Sequence, residues 1–297
     1  MNSENYISKI WQRGIFENRV VFCTGGSGDI CSSQVRALVY LGANACIVGR
    51  NKQKAERVAA DIANARPGAN VLGIGNVDVR KIEALEAAVS KCVSTLGGID
   101  FVIAGAAGNF LAPFVQLSTN AFKSVIDIDL MGSWNTVKTT VPHLLDSVAK
   151  YPGAGDYEGG RIIFISATLQ YTGVPLNTHG VVAKAGVDAL SAQLAIELGP
   201  RGVTSNVIAP GMIQSTEGER RLFRNSGIDM VRRVPTGRLG TIKDVNNATV
   251  FLLAETGDYV NGTVQVVDGA AWRIGAQVTT GVEYPASVLV EPKILKL

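Results

Sequence analysis

From residue 20 onward the chain alternates short apolar runs with longer stretches of helical spacing. Residues 20–24, VVFCT, form an unbroken apolar run, and a glycine turn follows it. Residues 30–41 then repeat apolar side chains three and four apart, the period of a helix with one buried face. The alternation continues. Apolar runs at 45–48, 71–74, 101–104, 161–165, 203–208 and 263–267 predict strands, and the stretches 53–65, 81–96, 119–150, 177–198 and 242–253 predict helices. Gly49-Arg50, Pro67-Gly68, Gly97-Gly98 and Gly199-Pro200 punctuate them. Pro142 predicts a kink or an end in the long stretch 119–150. Residues 151–160 predict a loop. Continuous β-branched runs belong to strands buried on both faces, so with helices between them they predict a parallel sheet covered on both sides. Right-handed crossovers make this an α/β fold, a doubly wound seven-stranded parallel sheet of the Rossmann kind. No linker, repeat or low-complexity segment divides the chain. A single domain over 1–297 is expected, with a lead-in at 1–19 from which Trp11 and Phe16 pack on the body, and a tail at 271–297.

Composition narrows the function. Hydrophobic residues make up 46% of 297 and charged ones 18%, enough apolar material for a sizeable core. A net charge of +3 without a dense basic run argues against nucleic acid. No run of about 18 apolar residues predicts a membrane span, and the first sixteen residues lack an apolar signal core. Cys23, Cys31, Cys46 and Cys92 have no metal-ligand spacing, so no metal is expected; they read as reduced core residues of an intracellular protein.

Strand, glycine turn and helix at the start of such a sheet are where a dinucleotide pyrophosphate docks, on backbone N–H groups and the helix dipole. The turn reads Thr24-Gly25-Gly26-Ser27-Gly28-Asp29-Ile30-Cys31. It resembles the T-G-x-x-x-G-x-G motif of the short-chain dehydrogenase/reductase family. Asp78, Ala104-Gly105-Ala106-Ala107-Gly108, Lys184 and Ala209-Pro210-Gly211 match that family in order and spacing, over roughly residues 18–270. Asp29 and Cys31 depart from it, standing where glycines are usual; a carboxylate at 29 would repel a pyrophosphate unless turned outward. Arg50, with Lys52 and Lys54 after it, takes the place of the acid that accepts from an NAD ribose. A guanidinium there suits a 2′-phosphate, so NADP(H) is favoured over NAD(H). The resemblance implies that Asp78 contacts the adenine, and adds Pro210, Gly211 and Ile213 to the cofactor site.

At the chemical end the family's ordinary members use a tyrosine to protonate a carbonyl oxygen, a serine to steady it, a lysine four residues after the tyrosine, and an asparagine. Here those positions hold Gly180, Ala167, Lys184 and Asp129. Losing a positioned general acid typically costs ~10²–10⁴ in rate, which disfavours ketone chemistry unless Ser166, Thr168, Tyr171 or His179 substitutes. A finer resemblance bears on this. Gly105-Ala106-Ala107-Gly108-Asn109-Phe110, Asn120-Ala121-Phe122-Lys123-Ser124-Val125, Asp127-Ile128-Asp129, Ser166-Ala167-Thr168, His179-Gly180 with Ala183-Lys184, and Thr216-Glu217-Gly218 are similar to the 2,4-dienoyl-CoA reductases, particularly the fungal members of their peroxisomal branch. In that reaction, as the resemblance implies it, the proton goes to carbon rather than to a carbonyl oxygen. Asp129 would hold or relay it through a water, with Lys184 nearby and also fixing the cofactor ribose. His179 either donates to a substrate oxygen or packs in the loop. Asn109 and Phe110 lie over the expected nicotinamide site, Phe110 as a wall for the acyl chain.

Residues 216–238 hold six arginines (220, 221, 224, 232, 233, 238) against three acids, a composition suited to the phosphates of coenzyme A over a substrate lid. Arg80 and Arg221 match the family's contacts to acyl-CoA thioesters. The chain ends Leu295-Lys296-Leu297, close to a terminal Ser-Lys-Leu peroxisomal address read by an import receptor. A peroxisomal homo-oligomer is expected, or a cytoplasmic one if the tail is not read. Two other readings stay open: an NADP-binding sensor or scaffold without catalysis, and a carbonyl reductase with a displaced acid such as Tyr171.

Overall fold

The computed structural model describes residues 11–151, 159–223, 231 and 234–274. Seven strands form one sheet: β1 (Val20–Thr24), β2 (Asn44–Val48), β3 (Val71–Ile74), β4 (Phe101–Ala104), β5 (Arg161–Ile165), β6 (Thr204–Pro210) and β7 (Val264–Val267). Their order is β3-β2-β1-β4-β5-β6-β7, and every pairing is parallel. The chain walks outward from β1 to β3 and then crosses back to β4. The C-terminal ends of β1 and β4 therefore flank the switch point where ligands bind in open α/β sheets. Every residue of β1 and β4 is buried, which is why these strands read as unbroken apolar runs.

Alternate residues of β1 serve the two faces: Val21 and Cys23 one, Val20 and Phe22 the other. On the first face lie α1 (Asp29–Tyr40), α2 (Lys52–Ala63) and α9 (Ile242–Leu253), packed through Val35, Leu38, Ile62 and Val250. On the second lie α3 (Ile82–Leu96), α5 (Gly132–Lys150) and α7 (Thr178–Leu198), through Leu85, Val137, Leu144 and Val187. The lead-in packs as expected: Phe16 is buried edge-on to Phe101, and Trp11 Nε1 donates to Asn247 Oδ1. All four cysteines are buried free thiols.

One element differs from expectation in a way that matters. The stretch 119–150 is not one helix. It comprises α4 (Thr119–Val125), a π-helical turn (Ile126–Met131) and α5, and Pro142 sits inside α5 rather than at an end. A π turn holds one residue more than an α turn, so it rotates the side chains that follow it without disturbing the apolar period on either side. The short helices α6 (Leu169–Thr172), α8 (Glu217–Phe223) and α10 (Ala271–Ile274) carry too few residues for a period to show.

Candidate active site

The π turn points Asp129 inward, where its side chain is 2% exposed. Oδ1 accepts from Gly108 N at 2.7 Å, and Oδ2 lies 3.1 Å from Lys184 Nζ. Lys184 Nζ also donates to the carbonyl of Ile165, the last residue of β5, at 3.0 Å. Ser133 Oγ donates to Asp129 O at 2.6 Å and fastens the turn. Four segments thus meet at one ion pair: the loop after β4, the π turn, the end of β5 and α7. The lysine offsets the buried carboxylate charge, and Gly108 N–H satisfies the other oxygen. Asp129 is no helix-surface carboxylate, and Lys184 is no plain surface lysine.

Gly180 lies one turn before Lys184 on α7. A Cβ there would collide with Asn177 Oδ1 and lie 3.2 Å from Asn109 Nδ2. A larger residue would have to push these two side-chain ends aside, and at Gly180 no side chain emerges where a tyrosine would. His179 is fully buried, with Nε2 2.8 Å from the carbonyl oxygen of Phe110 and its ring stacked 4.2 Å from the Phe110 ring. A carbonyl only accepts, so Nε2 carries the hydrogen. Phe110 is 37% exposed, an open wall rather than ordinary core. Asn109 Oδ1 accepts from Phe110 N.

The displaced acids fare poorly. Tyr171 donates to Asp188 Oδ2 at 2.5 Å, and Gln170 Nε2 donates to the same oxygen at 2.6 Å. Burial and then Asp188 push the Tyr171 phenol well above its usual range, which makes it a weaker acid. Ser166 is buried and accepts from Gln170.

At the cofactor end, Gly25 has φ +67°, and a Cβ on it would fall 2.6 Å from Gly105 O. A Cβ on Gly26 would fall 2.6 Å from Ile47. Gly28 is the N-cap of α1 and offers no capping side chain, so the first-turn N–H groups are left for a ligand. Asp29 is turned outward: Oδ2 accepts from Glu217 N at 2.7 Å and from the Arg220 guanidinium at 3.4 Å. The anticipated repulsion is thereby relieved. Cys31 Sγ occupies the volume that a Cβ on Gly105 would need. These features fit a dinucleotide pyrophosphate. Thr24 is buried, its hydroxyl accepting from Gly105 N, and Ile30 packs on the core edge, so both shape the turn from beneath. Ser27 Oγ lies against Gly49.

Past β2 and β3, Arg50 is exposed and Asp78 takes the Arg80 guanidinium through Nε and Nη2. The Arg80 hydrogen bonds lead, with Arg50 adding to them, in holding the Asp78 carboxyl down at about 2. The residue expected at the adenine and one expected at coenzyme A are therefore partners. Gly211 N donates to Val267 O, beside Pro210 at the end of β6. Ile213 is 3% exposed and bridges to Gly240, so only its backbone is left to face a cofactor.

Arg221 lies on α8, but its side chain is outside the described residues, as are residues 224, 232 and 233 and the terminal Leu295-Lys296-Leu297. Arg238 pairs with Asp244. Sequence reasoning missed Asn177. An asparagine just before a helix reads as its cap, and nothing in the spacing marks it otherwise.

A family model described as Enoyl-(Acyl carrier protein) reductase matches residues 28–270. The chain is 48% identical over 267 residues to the peroxisomal 2,4-dienoyl-CoA reductase ((3E)-enoyl-CoA-producing) of Saccharomyces cerevisiae, covering 89% of this chain and 88% of that one. It is 38% identical to the enzyme of the same description from Danio rerio, over 92% and 87% of the two chains. A crystal structure of a short chain dehydrogenase from Bacillus anthracis superposes with a TM-score of 0.76 at 31% identity, over 92% of this chain and 100% of that one. The seven-stranded sheet, the glycine turn and these matches agree: the chain belongs to the short-chain dehydrogenase/reductase family, alongside its 2,4-dienoyl-CoA reductases.

Proposed function

We propose that this protein is an NADPH-dependent reductase of 2,4-dienoyl-CoA thioesters, making 3-enoyl-CoA during β-oxidation of unsaturated fatty acids. The observation that carries this reading is the buried Asp129–Lys184 pair standing beside a glycine where a carbonyl reductase needs its tyrosine. The names of the relatives support the substrate class.

NADPH, when bound, supplies the hydride for C5 of the diene. The glycine cradle and the α1 N-terminus hold its pyrophosphate, Arg50 its 2′-phosphate, Asp78 its adenine and Lys184 its ribose. As C5 is reduced, the C4–C5 π pair moves to C3–C4 and the C2–C3 pair to C1–C2, leaving negative charge on the thioester oxygen. Protonation at C2 restores the thioester and leaves a 3-enoyl product. Asp129 holds or relays that proton through a water, and Lys184 keeps it poised by balancing charge. Phe110 lines the acyl chain with Asn109 beside it, and Arg80 and Arg221 contact the coenzyme A part of the substrate.

The location of the relatives and the Leu-Lys-Leu tail support import into peroxisomes by a receptor that reads the C-terminus. Trp134 on α5 and Val182 and Ile196 on α7 are exposed apolar side chains, which support assembly of copies through these helices. The test is NADPH consumption with 2,4-dienoyl-CoA substrates, run beside NADH. Turnover with NADPH is expected. Tight NADPH binding without turnover at any chain length would leave a sensor in place of an enzyme.

A further inference from the structure

We propose that Asn177 is the group that takes over the hydrogen bond of the missing tyrosine: its side-chain amide N–H donates to the thioester oxygen as charge builds there. This inference rests on the dienoyl-CoA reading above and names a residue for a task that Asp129 and Lys184 leave open.

Asn177 is the N-cap of α7, yet its side chain makes no capping hydrogen bond. An asparagine at an N-cap ordinarily accepts from the helix backbone, and forgoing this costs stability. The residue is fully buried, and among the described residues neither Nδ2 nor Oδ1 has a partner. A buried amide with both ends unsatisfied is costly unless something else meets it. Leu176, just before it, sits at φ +67°, a left-handed conformation that a branched side chain rarely adopts. The backbone thus holds the amide in this position against its local preferences.

The direction of the side chain names its task. Asn177 Oδ1 lies where a Cβ on Gly180 would begin; with neither end of the amide partnered among the described residues, a half-turn about χ2 brings Nδ2 to the same place, and that orientation is the one that donates. Gly180 and Lys184 are four residues apart on α7 and so share a face. The amide therefore lies where a side chain at 180 would begin, on the helix face from which Lys184 reaches Asp129. Asn109 Nδ2 borders the same point, 3.2 Å from that Cβ position. Neighbouring His179 cannot serve through Nε2, which is given to Phe110 O. An amide is also the right donor. It cannot release its proton, so it stabilises charge on the thioester oxygen while the proton goes to C2.

The experiment compares wild-type protein with Asn177→Leu and Asn177→Ala by three readouts: kcat and KM with NADPH and a 2,4-dienoyl-CoA, NADPH affinity by fluorescence titration, and Tm. Leucine matches the shape of asparagine without its polar atoms. Both variants should lose about 100-fold or more in kcat, the loss seen when one oxyanion donor is removed. NADPH affinity should stay within about twofold and the Tm of Asn177→Leu should hold or rise, because an unsatisfied amide has been removed. A kcat within about threefold of wild type would overturn the inference. So would a lowered Tm together with weakened NADPH binding, which would mark Asn177 as structural. If the wild-type protein itself does not turn over, the dienoyl-CoA reading fails first and the variants are then read by Tm alone: a Tm that falls in Asn177→Leu sinks the inference, and one that holds or rises sustains a ligand-directed amide.

Discussion

Two buried carboxylates sit at opposite ends of the central strand β4, and they are finished differently. Asp100, just before the strand, accepts from Val20 N and Ser147 Oγ, both at 2.6 Å, with Arg19 3.9 Å away. Asp129, beyond the strand's other end, has one backbone donor and one lysine. Around Asp100 the two carboxylate oxygens are met by fixed neutral donors, so the group is a fastener between β1, β4 and α5. Around Asp129 the second partner is itself a titratable cation on a flexible stem, and Asn177, at the N-terminal end of the same helix as that lysine, is left unsatisfied among the described residues. The same residue type under similar burial is structural where its partners are saturated and chemical where they are not.

The sharpest way to break this contrast is at Lys184. Lys184→Met leaves Asp129 buried without its cation, at a cost of about 3–5 kcal/mol in stability as well as activity. Thermal melts should show the loss, and adding Asp129→Leu should recover most of the stability but none of the turnover. Asp129→Asn, which keeps shape and one acceptor, should lower kcat by about 10²–10⁴ and also lower the melt, because the Lys184 ammonium loses its counter-charge. At the other end, Asp100→Ala strands two buried donors and should cost about 2–5 kcal/mol, with kcat and KM of the folded protein unchanged. An Asp100 variant that folds normally but loses turnover would erase the distinction.

Asp244 extends the comparison to a carboxylate that is only partly buried. It completes a capping box with Thr241 and accepts from Arg238, and the arginine leads in holding its carboxyl at about 2. Its folded value lies below the ordinary aspartate value of about 4, so its contribution is present above pH ~4 and lost as pH falls toward 2. After solvent screening this is about 1 kcal/mol. Acid titration of the melt should show that loss in the wild type and its absence in Asp244→Asn. The smallest effect belongs to Tyr171→Phe. Its hydroxyl is committed to Asp188 and its phenol is pushed up. Turnover with dienoyl-CoA should stay within about twofold, and no ketone reduction should appear or vanish.

The sheet was legible in the sequence because β1 and β4 are buried on both faces, and only apolar runs survive there. Asp129 and Lys184 were legible as positions through the family resemblance of the motifs around them, Lys184 also by its place four residues after Gly180. How they meet was not. The π turn that points Asp129 inward leaves the apolar periods of α4 and α5 intact, so no pattern records it. Asn177 was hidden for a similar reason: its place before a helix already has an ordinary explanation. Asp29 looked harmful in the linear motif because its partners, Glu217 N and Arg220, lie about 190 residues away.

Cys31 and Gly105 share one side chain's volume across a sequence separation of 74 residues. Neither position can grow alone. Gly105→Ala in this chain would overpack against the thiol, at about 1–3 kcal/mol, and Cys31→Gly should relieve it. Growth at Gly105 therefore calls for a smaller residue at 31. Relatives with a larger residue at the position of 105 are expected to have shed the bulk at the position of 31, so that a substitution harmful in one lineage is neutral in the other.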